Sequence, residues 1–136
     1  MKAARFLKRA RIVVYVAALF GVLFLILRYE TLRLPREGCS PLRDFVPGTR
    51  LLLDRWRTPA EGDAVLFRVD DELLLGRIEP FPLGLPDELP ANWSPFDADH
   101  VWIVADDPNC PAVDSRSLGP VDREALVAVV AAAMPW

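Results

Sequence analysis

One apolar run sets the pattern of the chain. Ile12 to Leu27, IVVYVAALFGVLFLIL, is 16 consecutive residues without a charge. It is apolar on every side rather than along one stripe, which predicts a helix surrounded by lipid rather than one packed on a core. At about 1.5 Å per residue it spans about 24 Å, against a hydrocarbon layer of roughly 30 Å. Arg11 and Arg28 flank it and can snorkel outward to cover the difference. Beyond it the pattern changes to short apolar runs separated by turn residues. TRLLLDRW (49–56), DAVLFRV (63–69), ELLLGRI (72–78), HVWIVA (100–105) and ALVAVVAA (125–132) are strand-sized. FVPG, TPAEGD and RVDDE read as tight connections, the last two joining neighbouring strands of a meander. Residues 80–99 carry five prolines and no sustained period, which predicts a long loop of the kind that often binds something. The closing segment REALVAVVAAAMPW is open between helix, from its alanines, and strand, from its valines.

The expected organisation is therefore a basic flank (1–11), a transmembrane anchor (12–28) and a small, mainly β domain (29–136). Charge orients it. Lys2, Arg5, Lys8, Arg9 and Arg11 precede the run with no acidic residue among them. The positive-inside rule keeps such a flank in the cytoplasm and sends residues 29–136 to the periplasmic or extracytoplasmic side of the cell membrane. LRYETLRL, just after the run, offers no small-x-small cleavage site, so the anchor is expected to stay attached. The exported part has ten Arg, no Lys and all 19 carboxylates, a formal charge of 10 − 19 = −9. That balance excludes nucleic acid and anionic lipid head groups as its natural partners.

Cys39 and Cys110 both fall in the exported part. Two thiols in an oxidising compartment suggest a disulfide, which spacing alone does not establish. With no CxxC and a single histidine, His100, neither a metal site nor a cofactor is expected.

Three stretches, in this order, resemble one family. GCSPLRDFVPG places Ser40 eight residues before Gly48, as in the nucleophile box of the signal peptidase I family. EGDAVLF (61–67) resembles that family's Gly-Asp-Val-Val-Val-Phe strand, and ADD (105–107) followed by DSR and GPV resembles its last box. The resemblance covers roughly residues 10–136. It implies a signal-peptidase-like β domain on one N-terminal transmembrane helix, and serine chemistry. In that chemistry a serine attacks the peptide bond at the end of a signal sequence, and a lysine of lowered pKa takes its proton. By the match, Ser40 stands at the nucleophile position, with Gly38 and the N–H of Ser40 at the oxyanion positions. Asp106, Asp114, Ser115 and Arg116 take structural places in the last box. The nucleophile loop and that box converge in the family, which brings Cys39 and Cys110 together as an implied disulfide.

The base is missing from the pattern. The family's Lys-Arg-Val motif corresponds to Gly76-Arg77-Ile78, so glycine occupies the lysine position. Lys2 and Lys8, the only lysines, lie on the other side of the membrane in this topology, and His100 reads as a strand residue. The hydroxyl that orients the lysine in relatives corresponds to Ala112, and the gap from Asp106 to Asp114 is one residue longer. Two losses affecting one function favour a degenerate relative that binds or scaffolds exported proteins or their signal-peptide segments without cleaving them. An active serine endopeptidase for exported precursors, with an unconventional or partner-supplied base, is the first alternative. An accessory subunit of a membrane complex, packing its anchor on other subunits, is the second.

Overall fold

A computed structural model describes residues 2–83 and 98–134, with side chains from Arg9 onward. Most of the expected 80–99 loop lies outside the described residues. Helix α1, Lys2–Arg28, takes in the basic flank as well as the apolar run. Its stretch Arg9–Arg28 has a mean hydropathy of 2.5, is left almost wholly exposed by the described residues, and is long and apolar enough to cross a membrane. The helix stops where Arg28 is captured: its guanidinium donates three hydrogen bonds of 2.7 to 3.1 Å to the carboxylate of Asp54.

No linker separates helix from sheet. Strand β1 (Tyr29–Arg33) begins at the next residue and is followed by β2 (Arg50–Asp54), β3 (Ala64–Val69), β4 (Glu72–Glu79), β5 (His100–Val104), helix α2 (Ser115–Leu118), β6 (Val121–Asp122) and β7 (Leu126–Met134). They form one seven-stranded sheet in the order β1-β2-β7-β3-β4-β5-β6, with each neighbouring pair antiparallel. The β3–β4 connection is a tight hairpin, in which Asp70 and Asp71 both take positive φ, 46° and 67°.

One expected connection is corrected. TPAEGD does not join neighbours, because β7 lies between β2 and β3. The last strand fills the centre of the sheet: its first residues pair with β3 and its later ones with β2. Those two ladders also decide the helix-or-strand question for 125–132. Main-chain pairing on both sides outweighs the helix propensity of its alanines.

Strand alternation sorts the core into two clusters. The first holds Leu34, Leu42, Leu51, Leu53, Ala64, Leu66, Leu75 and Ala128. The second holds Val65, Phe67, Ile78, Val101, Ile103, Val121 and Val129. Residues 34–45, between β1 and β2, cover the first face by seating Leu34, Leu42 and Phe45 against it.

Candidate functional site

The segment that carries Ser40 is tied to the turn after β5 by three kinds of bond. Cys39 and Cys110 form a disulfide, with Cα atoms 5.4 Å apart and a separation of 71 positions in sequence. The Arg43 N–H donates to Asp106 Oδ1 at 2.7 Å, and the Asp107 N–H donates to the Pro41 carbonyl at 3.2 Å. Arg77 of β4 ties in the third partner. Its guanidinium reaches Asp44 Oδ2 at 2.6 Å, Asp106 Oδ2 at 3.4 Å and the Gly62 carbonyl at 2.9 Å. So the 38–45 segment, β4 and the 105–110 turn, which the sequence assigned to one site, do meet.

Within that meeting place Ser40 is buried, and its hydroxyl is committed to its own turn. Oγ donates to the Leu42 carbonyl at 2.9 Å and faces the Leu42 N–H at 3.4 Å. A carbonyl holds that proton but does not remove it. Gly38, two residues earlier, has φ of 95°, a conformation that suits glycine, and an added Cβ there would meet open space.

Gly76 is a different case. A Cβ at this position would lie 2.3 Å from Ile103 Cγ2, 3.3 Å from the Val104 carbonyl oxygen and 3.4 Å from Phe67 Cε1. Ile103 and Phe67 belong to the second cluster and are fully buried. Alternation explains the direction. Leu75 shares the first face with Leu42, and Arg77 lies on that side too, whereas residue 76 opens onto the second. A side chain at 76 would set out into packed core, not toward the cluster that seats Leu42.

His100 is also remote. It starts β5, at the opposite end from the 105–110 turn, and pairs with Asp122 at 2.8 Å. Ala112 is exposed. Among the described residues, neither a lysine nor a histidine bonds the Ser40 hydroxyl.

Asp114, Ser115 and Arg116 finish the sheet edge. Because β6 pairs with β5 only at His100 and Val101, the N–H groups of Ile103 and Ala105 have no strand beyond them among the described residues. Ser115 Oγ accepts from Ile103 N–H at 2.8 Å, and Asp114 Oδ2 accepts from Ala105 N–H at 3.0 Å. Asp114 also caps α2 through the Arg116 N–H and pairs with the Arg116 guanidinium, which in turn donates to the Ala105 carbonyl at 2.6 Å. Burial alone would raise the Asp114 pKa. The hydrogen bonds from the Arg116 side chain and from the Ala105 and Arg116 N–H groups outweigh it, so the carboxyl is held below its usual range.

A groove of about 450 Å³ lies against this edge. Trp102, Val104, Arg43, Asp106, Glu79 and Arg116 are among its lining residues. Register places Trp102 opposite Glu79 and Val104 opposite Arg77, so these side chains continue the first face of the sheet where the 34–45 segment stops covering it. The groove was not legible beforehand. Its floor comes from alternate residues of HVWIVA, and only the pairing register shows which of them face the Ser40 segment.

No protein-family model matches the chain, and no curated protein matches it either.

Proposed function

We propose that the chain is a membrane-anchored, signal-peptidase-I-like protein that holds an extended segment of an exported protein beside Ser40 and does not cleave it. In this reading α1 spans the membrane with its N-terminus in the cytoplasm, and residues 29–136 work on the outer side. The observation that carries the reading is the packing above Gly76. The family's base position is closed by Ile103 and turned away from the face that the Ser40 segment covers. A hydroxyl without a base in hydrogen-bond reach is a poor nucleophile at neutral pH.

Two features support binding. The groove beside Arg43 and Asp106 has an apolar floor and charged walls, which suits a short extended segment. Among the described residues, the sheet also keeps an open edge at β1. Arg28 C=O and Leu34 N–H point toward β2, so by alternation the main-chain groups of Tyr29, Thr31 and Arg33 point outward, where strand addition requires them. The β5 edge beyond β6 is closed to that mode by Asp114 and Ser115.

A photoreactive signal-peptide probe added to the full chain in membranes tests the site. Cross-links are expected on the Arg43–Trp102–Asp106 groove, and reversing the rim with Arg43→Glu and Glu79→Arg should weaken them. Cross-links confined to α1, unaffected by the rim changes, would contradict the reading.

A further inference from the structure

Asp54 builds a second feature at the other end of β2. Beyond its bonds to Arg28, the buried Asp54 carboxylate accepts from the Trp56 N–H at 3.0 Å and the Arg57 N–H at 3.1 Å through Oδ1. That fixes the turn after β2 and sends the Trp56 ring back along α1, where it meets Phe24 edge-to-face with ring centroids 5.1 Å apart. Arg28 lies over the Phe24 and Tyr29 rings at 6.0 and 5.2 Å. Even in this contact Trp56 remains 54% exposed and Phe24 46% exposed, so the pair presents a sizeable aromatic surface that the described residues leave uncovered.

Phe24 precedes Arg28 by four residues, about 6 Å along the helix axis. Whatever surrounds the last turn of α1 therefore surrounds Trp56 as well. We propose that the Asp54–Arg57 turn is a membrane-contact surface, with Trp56 seated in the interfacial zone of the bilayer beside the end of the anchor. This rests on the reading that α1 spans the membrane.

The chemistry of the turn matches that layer. Tryptophan has an apolar body and one N–H donor, and it concentrates at the boundary between acyl chains and head groups. Arg55 and Arg57 flank it, each paired with a carboxylate of the domain: Glu30 at 2.7 Å and Asp63 at 2.7 Å. The basic groups beside the ring are thereby neutralised, which fits contact with the interface without a demand for anionic lipid. With Arg28 clasped by Asp54, the turn would fix the domain to the membrane at two points, the helix end and Trp56, so that the domain cannot swing freely about the 28–29 junction.

Full-length protein in vesicles of a zwitterionic phospholipid provides the test. Lipids brominated high on the acyl chain, or deep on it, serve as quenchers. The difference in emission between the parent and Trp56→Phe isolates Trp56 from the other tryptophans. A separate Tyr15→Trp change on the exposed side of α1, made in the Trp56→Phe background and read against it, reports whether the helix spans. We expect Trp56 emission to be lost to shallow bromines more than to deep ones, and to be insensitive to aqueous iodide, while the residue-15 tryptophan is quenched most by deep bromines. If that tryptophan is quenched by lipid and Trp56 answers only to iodide, the contact surface is wrong and the span stands. If Trp56 answers to neither quencher, protein covers it and the proposal fails. If neither tryptophan is quenched by lipid, span and contact fail together.

Discussion

Replacing Gly76 with alanine probes the packing on which the account depends. The added methyl would sit 2.3 Å from Ile103 Cγ2, well inside contact distance, while the Val104 carbonyl at 3.3 Å blocks one direction of escape. Ile103 is fully buried, so it moves only by displacing its neighbours. Overpacking of this kind costs about 1–3 kcal/mol, against which alanine recovers about 0.4–1 kcal/mol by restricting the unfolded chain, leaving a net loss of about 1–2 kcal/mol. Ile103→Ala removes the clashing methyl and by itself should cost about 2–5 kcal/mol. Together the two should cost less than their sum by about 1 kcal/mol or more, since the new methyl then occupies vacated space. Urea unfolding of the full chain in detergent, followed by near-ultraviolet circular dichroism, gives all four corners of the cycle. A neutral or stabilising Gly76→Ala that adds independently to Ile103→Ala would show open space above residue 76. A base could then stand at residue 76.

Three other perturbations have definite expected outcomes. Removing the Cys39–Cys110 bridge with a double alanine variant releases a loop closed over 71 residues and should lower stability by about 4 kcal/mol in the chain-entropy model, measured as a shift in urea midpoint without reductant. Ser115→Ala leaves the fully buried Ile103 N–H without an acceptor and should cost about 1–3 kcal/mol in the same assay, whereas a change at exposed Ser117 should cost far less. Asp114 is held below its unfolded value of about 3.9, so its contribution is fully present above that pH and is lost as pH falls through the lowered folded value. Asp114→Asn should flatten this acid limb in a pH series of urea midpoints, and an unchanged limb would refute the assignment.

The strand runs 49–56, 63–69, 72–78 and 100–105 were legible because each is apolar, short and bounded by turn residues. β1 was not. YETLR is mostly exposed, alternates weakly and follows the apolar helix with no turn signal, and it forms a strand because it pairs with β2 over five residues. The place of β7 between β2 and β3 was equally hidden, since strand order comes from which edges remain unpaired, and neighbours in sequence do not determine it. Asp114 and Gly119 did carry a local signal: they bracket a single helical turn as N-cap and C-cap. Of the site, the meeting of the Ser40 segment with the 105–110 turn was legible through the resemblance and the cysteines. The direction of Gly76 was not, because only the register of β4 against β3 and β5 reveals which face it addresses.

Turnover is the measurement closest to the central claim. Purified full-length protein in detergent is incubated with a fluorogenic peptide spanning a signal-peptide cleavage site, beside a Ser40→Ala variant, with peptide binding followed by anisotropy in the same samples. The packing above Gly76 and the Ser40 Oγ bond to Leu42 predict that the peptide binds and remains intact, and that Ser40→Ala leaves binding unchanged. Cleavage by the parent that disappears in Ser40→Ala would contradict the account and make this chain a working peptidase.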